Sequence, residues 1–225
     1  MQTRVSRSRV VAPLTIAGVA GPALFWVLLL ISQWLHPGYN AWENSVSRLT
    51  FAPFGWLQTM NFCLVTVFTA AFGVAVWLAI ARSALGRIAS VFLILMGLAQ
   101  LLTAVFRVDA LPSGNSPAYA IHKAVLFVSV GAFPFGAAML VPDLWASRQW
   151  RPFAYMSIAA TATVLGLDLV WVVARYTQPH LIDPWFGIYE RTLLSIPLVW
   201  MMAMLSISEM GHCGDRTLLY AVRRH

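Results

Sequence analysis

The chain has 225 residues, of which 60% are hydrophobic and only 10% charged, and its mean hydropathy is +0.73. These values lie far outside the range of soluble globular proteins and indicate a protein that crosses a membrane several times. The net charge of +7 does not indicate a nucleic-acid-binding protein, because the arginines lie at the ends of apolar runs and form neither a basic stripe nor a recognition motif.

Six apolar runs follow one another along the chain, each close to the roughly 20 residues that a helix needs to cross a bilayer. We therefore predict an all-α fold, a single domain over residues 1–225 that forms a polytopic bundle of six transmembrane helices. The first run exceeds the core of a signal peptide, about 7–15 residues, and predicts an uncleaved span. The predicted spans cover residues 10–35, 58–81, 88–106, 117–141, 156–174 and 184–207.

The longest polar connection covers residues 36–57 and is rich in the aromatic residues that favour a membrane interface. Within it, residues 41–51 predict a short helix that lies on the bilayer or dips into it under a cover of protein. The next long turn, residues 106–123, reverses at Pro112 and Gly114. Ser116 is the expected N-cap of the following helix and Pro117 its first residue.

The basic residues are distributed unevenly about the predicted spans. Ten lie on the side that holds both termini and five on the other side. Cytoplasmic loops are the basic ones, so both termini are expected in the cytoplasm of a bacterial or archaeal cell, with the protein in the plasma membrane. The basic residues are then expected to fix topology and to contact anionic lipid.

The outward side collects polar groups that point to a binding site. Charged groups at the depth of the second helical turn are costly unless they are paired or wetted, which favours their facing the bundle. The alternative is that they are interface residues that reach towards lipid headgroups. The predicted walls of an outward-facing pocket are Asn44, Ser45, Ser47, Arg48, Asp109, His122, Asp168, Glu190 and Arg191.

Three of these residues carry sharper hypotheses. Antiparallel helices joined by a short loop pack side by side, so Asp109 and His122 are expected to meet across the turn, unless each faces headgroups separately. Asp168, the deepest acid, is either a proton or ligand site or a buried carboxyl that ties two helices together.

Residues Ser45 and Ser47 allow two interpretations. Beside His122, either serine would suggest a nucleophile with its base. The alternative, which the sequence favours, is that Asn44 and the serines cap a short helix. Cys63 and Cys213 lie at different depths, and the chain has no zinc-binding pattern. We therefore expect no disulfide, no metal and no cofactor.

Several short motifs carry a resemblance to a known family. They are Pro37-Gly38-Tyr39, Asn44-Ser45-Val46-Ser47-Arg48-Leu49, Pro53, Gly55-Trp56-Leu57, Asn61-Phe62, Phe106-x-x-Asp109, His122 and Glu190-Arg191. With these motifs the chain resembles the domain of unknown function 998 family over nearly its whole length. The resemblance implies a six-span membrane protein of unassigned activity. Where that family tends to have Phe-Pro-x-Asp, this chain has Phe106-Arg107-Val108-Asp109.

These observations predict an integral membrane protein whose outward-facing pocket binds a small amphipathic or lipid ligand, with membrane lipids as neighbours and no nucleic acid as partner. The inner halves of the spans hold little polar chemistry beyond Gln100, Thr161 and Thr163, which favours a one-sided site over a transport path. A lipid-modifying hydrolase and a non-catalytic accessory subunit are the alternatives. Membrane hydrolases related to alkaline ceramidase carry a Ser, an Asp and a His at the outer ends of their spans, and the chain resembles them in this respect. It lacks their HxxxH pair.

Overall fold

The computed structural model describes residues 20–51, 53–106 and 116–222, with side chains up to residue 204. Every regular element in these residues is helical, as predicted. Three 3-10 helices, Val46–Phe51, Arg148–Trp150 and Asp183–Trp185, accompany the α-helices. The α-helices are α1 (Ala20–Trp34), α2 (Gly55–Ala79), α3 (Ala84–Val105), α4 (Pro117–Trp145), α5 (Arg151–Thr177), α6 (Pro179–Ile182) and α7 (Phe186–Val222).

Four helical segments of the described chain are long and apolar enough to cross a membrane. They are Gly55–Ala79, Ala84–Val105, Pro117–Trp145 and Arg148–Thr177, with mean hydropathies between 1.8 and 2.3. They correspond to the second to fifth predicted spans. Helices α1 and α7 occupy the described parts of the first and sixth apolar runs.

Helices α4 and α5 leave a shorter connection than the predicted spans 117–141 and 156–174 do. Helix α4 continues to Trp145 and α5 begins at Arg151. The carboxylate of Asp143 accepts the backbone N–H groups of Arg82 (2.7 Å) and Ser83 (3.0 Å). Asp143 thus lies within α4, and its side chain binds the turn between α2 and α3.

Two further boundaries differ from the prediction. The short helix expected over residues 41–51 is a turn followed by the 3-10 helix Val46–Phe51. The loop predicted over residues 175–183 is mostly helical, since α5 runs to Thr177 and Pro179 then starts α6. Proline suits the first turn of a helix, where no N–H partner is needed.

The predicted start of α4 is confirmed. Ser116 is its N-cap and Pro117 its first residue, and the Ser116 hydroxyl accepts the N–H of Tyr119 at 3.0 Å. Both residues act through local backbone geometry, so the sequence was sufficient to identify them.

Helix α7 contributes to both hydrophobic clusters of the core. Trp200 is buried against the rings of Phe72 in α2 and Phe133 in α4, each at 5.5 Å between centroids. Its indole N–H donates to Ser157 of α5 at 2.9 Å. On the other cluster, Leu198 packs with residues of α1 and α2. Side chains of α7 therefore contact α1, α2, α4 and α5.

Helices α2 and α3 approach each other closely through glycine. A Cβ atom on Gly97 would lie 3.0 Å from the backbone nitrogen of Ala70 and 3.1 Å from the carbonyl oxygen of Thr66. Small residues permit this distance between backbones, which supports helix association in a membrane where burial in lipid provides no driving force.

Candidate functional site

The connection after α1 lies against the amino-terminal end of α7. A Cβ atom on Gly187 would lie 2.4 Å from the carbonyl oxygen of Ala41 and 2.7 Å from that of Asn44. The N–H of Ile188 donates to the carbonyl of Trp42 at 3.2 Å. Glycine at position 187 thus allows the two backbones to touch.

Glu190 attaches this connection to α7 through a single buried bond. Its Oε2 atom accepts the backbone N–H of Val46 at 2.6 Å, and the residue is only 6% exposed. Val46 begins the 3-10 helix Val46–Phe51. The first N–H groups of a helix have no partner within it, and the Glu190 side chain supplies one for Val46.

Arg191 holds the same connection by its guanidinium group. One terminal nitrogen donates to the carbonyls of Asn44 (3.0 Å) and Gly187 (2.8 Å), and the other donates to the hydroxyl of Tyr39. That hydroxyl is in turn shared between the carbonyls of Asn44 (3.0 Å) and Ser45 (2.8 Å). We call Tyr39, Glu190 and Arg191, with the segment 44–46 that they hold, the α7 clamp.

The two ionisable side chains of the clamp bond backbone groups. Glu190 and Arg191 are both buried and carry opposite formal charges, and each also bonds backbone groups. Burial raises the pKa of Tyr39 to about 12, although Arg191 acts in the opposite direction. The phenol therefore stays protonated at physiological pH and remains a hydrogen-bond donor.

The clamp brings together five of the residues predicted to form the pocket. Asn44, Ser45, Glu190 and Arg191 belong to it directly. Arg48 is exposed, and its guanidinium donates to the side-chain oxygen of Asn44 at 3.0 Å. These residues were expected to face a ligand, whereas the bonds described above join them to one another and to the backbone.

Ser47 is buried beside this group, and its hydroxyl donates to that of Ser45 at 3.2 Å. His122 is buried elsewhere, with its Nδ1 atom 2.6 Å from the carbonyl oxygen of Phe106. Within the described residues, no hydrogen bond joins His122 to either serine. Asp109, the expected partner of His122, lies outside the described residues, so their contact stays a prediction.

Asp168 connects α5 with α7. The hydroxyl of Tyr189 donates to its Oδ1 atom at 2.6 Å. The ring of Tyr189 stacks on Trp171 with centroids 4.1 Å apart. This geometry fits the hypothesis of a carboxyl that ties two helices together. Arg175, seven residues further along α5, is paired instead with Asp183.

Sequence reasoning missed Tyr39, Gly187 and Tyr189. The two tyrosines carry a signal that could have identified them, because a tyrosine hydroxyl usually finds a partner when the ring is buried. Gly187 carries no such local signal, since only the approach of a distant backbone explains it.

The described residues contain no group of three or more His, Cys, Asp or Glu side chains that could hold a metal ion. A cavity between α7 and helices α1 to α4 is lined by none of the residues predicted for the pocket.

A family model described as "Protein of unknown function (DUF998)" matches residues 19–207 of this chain. The match includes every residue of the α7 clamp and all five α-helices from α2 to α6. No curated protein and no solved structure matches the chain.

Proposed function

This chain belongs to the DUF998 family, which assigns no activity, and we propose that it is a six-span plasma-membrane protein whose outward face binds an amphipathic ligand with an anionic headgroup. Both termini lie in the cytoplasm in this proposal. The connection held by the α7 clamp then lies at the outer membrane interface. The apolar runs and the uneven basic residues support this arrangement.

The observation that carries the proposal is the exposed guanidinium of Arg48 on a fixed backbone. Arg48 lies within the 3-10 helix Val46–Phe51, whose first N–H is held by Glu190. Its bond to the Asn44 side chain orients one terminal nitrogen of the guanidinium. Arginine binds phosphate and carboxylate groups by planar, paired hydrogen bonds, so the remaining donors suit an anionic headgroup.

Exposed aromatic side chains lie close to Arg48 in the sequence, in the same connection and at the start of α2. They include Trp42 and Trp56, which are 55% and 62% exposed. Tryptophan prefers the boundary between headgroups and hydrocarbon, because its ring is apolar and its N–H is polar. An exposed cation in a stretch of sequence with such rings supports a ligand that carries both a charge and an apolar chain. Asn44, Ser45 and Arg48 are the proposed contacts, and Glu190 and Arg191 position them.

Native mass spectrometry of the protein after mild detergent extraction tests the proposal. We expect a co-purifying anionic lipid, and at least a roughly tenfold weaker retention in Arg48→Gln, since a charge-assisted hydrogen bond is lost. Arg175→Gln is the matched control, because Arg175 is also exposed and on the same proposed face but is paired with Asp183.

Two results would contradict the proposal. Equal lipid retention in both variants would show that Arg48 does not bind the headgroup. A stoichiometric partner chain without retained lipid would favour an accessory subunit.

A further inference from the structure

A small, partly open cavity lies between α7 and the four helices α1 to α4. Its volume is about 30 Å³, which is room for roughly two water molecules. Most of its wall is apolar, but three polar side chains face it. These are Thr69 of α2, Gln100 of α3 and Ser129 of α4, each at least nine-tenths buried.

The polar side chains keep unused hydrogen-bonding capacity. The Thr69 hydroxyl has no hydrogen-bond partner among the described residues, whereas Thr66 in the same helix donates to the carbonyl of Phe62 at 2.9 Å. Ser129 accepts the amide N–H of Gln100 at 2.8 Å, which leaves its own hydrogen to donate. The side-chain oxygen of Gln100 receives only a long contact of 3.5 Å from Thr103.

Two prolines remove the helical donors of backbone carbonyls in residues that line the cavity. Pro197 lies inside α7 and lines the cavity together with Leu193, one turn earlier. A proline has no N–H, so the carbonyl four residues before it loses its helical donor. Pro134 in α4 has the same effect on the carbonyl of Val130, which also lines the cavity. Ordered water commonly satisfies such carbonyls in transmembrane helices.

We propose that this cavity is a binding site for two ordered water molecules, held by Thr69, Gln100, Ser129 and the carbonyl of Leu193. The cavity offers both hydrogen-bond donors and hydrogen-bond acceptors, and all of them are neutral, which suits water. A cation in the same place would be surrounded by a mostly apolar wall without a carboxylate, at a high cost in solvation. Pro197 lies eleven residues into α7, roughly 16 Å along its axis, so the site is near the middle of the bilayer.

Two isosteric substitutions in α2 test this site, because which of the two variants has the lower Tm depends on whether the cavity holds water. Thr69→Val removes a hydroxyl that the water would bind, so we expect its Tm to fall about 2–4 °C below that of Thr66→Val. The control loses only a bond within its own helix. If the cavity is dry, Thr69→Val removes an unpaired buried hydroxyl and leaves a better apolar wall. The Tm would then equal or exceed that of the control, which would overturn the proposal.

Two further measurements apply even if a variant does not fold. Replacing sodium by choline at constant ionic strength should leave the Tm of the unmodified protein unchanged, and a sodium-dependent rise would identify a cation site instead. A structure of the unmodified protein that resolves ordered water should show two peaks within hydrogen-bonding distance of the Thr69 hydroxyl and the Leu193 carbonyl. An empty cavity in that map would contradict the proposal.

Discussion

At the residue scale, Tyr39 shows how one hydroxyl joins two parts of the chain. It accepts from Arg191 and is shared between the carbonyls of Asn44 and Ser45. The ring also lies against the guanidinium, with its centroid 5.5 Å away. A phenylalanine would keep the ring and lose every one of the hydrogen bonds.

Tyr39→Phe should therefore lower the free energy of unfolding by about 1–3 kcal/mol, because buried partners are left unsatisfied. Tyr176→Phe, at a residue that is 86% exposed, should change it by less than about 0.5 kcal/mol. The raised pKa of Tyr39 means that its contribution is complete below the usual value near 10 and is lost as pH rises through about 12. Melting curves in detergent between pH 7 and 9 should show a constant difference in Tm between Tyr39→Phe and Tyr176→Phe. Equal melting temperatures for the two would contradict the hydrogen-bonding role.

The bond between Asp168 and Tyr189 makes a second prediction at this scale. Asp168→Leu should be less stable than Asp168→Asn, since the amide can still accept the tyrosine hydroxyl and leucine cannot. A double-mutant cycle of Asp168→Leu and Tyr189→Phe, measured by thermal unfolding, should give a coupling of about 0.5 kcal/mol or more. A coupling of zero would show that the two side chains do not interact.

At the scale of the helices, close packing of α2 on α3 depends on Gly97. Gly97→Ala should lower the Tm, because its Cβ would lie within 3.1 Å of two backbone atoms of α2 that cannot move separately. Gly131→Ala is the matched control in α4, where a Cβ atom meets nothing within 4 Å. There we expect a neutral or stabilising effect, since alanine favours a helix by up to about 1 kcal/mol. The prediction fails if both substitutions shift the Tm in the same direction.

The contrast between local and distant contacts explains which features the sequence could predict. The start of α4 followed from Ser116 and Pro117, since a cap acts on its own helix. The predicted fourth span ends at residue 141, whereas α4 continues through Asp143, whose carboxylate binds a turn about 60 residues away in sequence. Burial of Glu190 and Arg191 could be expected from the cost of charge in a membrane, whereas their backbone partners could not.

The partner of Glu190 is the clearest case. The Val46 N–H lies 144 residues earlier in the chain, and the residue types of the connection do not identify it as the donor. The approach of the two backbones at Gly187 helps to bring it within reach. The α7 clamp thus brings together some of the residues predicted for the pocket. It does so by hydrogen bonds that the residue types alone do not specify.

At the scale of the whole molecule, the distribution of basic residues predicts that both termini are cytoplasmic. A phosphatase that is active only outside the cytoplasm, fused after Gly114, should be active. The same enzyme fused after Gln149 should be inactive. The reverse pattern would place the α7 clamp on the cytoplasmic face and contradict the proposed orientation.

The account depends most on the claim that the clamp presents Arg48 to an anionic headgroup. Hydrogen–deuterium exchange of residues 44–51, with the protein in lipid nanodiscs, tests this directly. Anionic lipid should slow exchange in this segment relative to zwitterionic lipid, and Arg48→Gln should abolish the difference while Arg175→Gln keeps it. Exchange that is the same in both lipids, or that responds equally in both variants, would contradict the account.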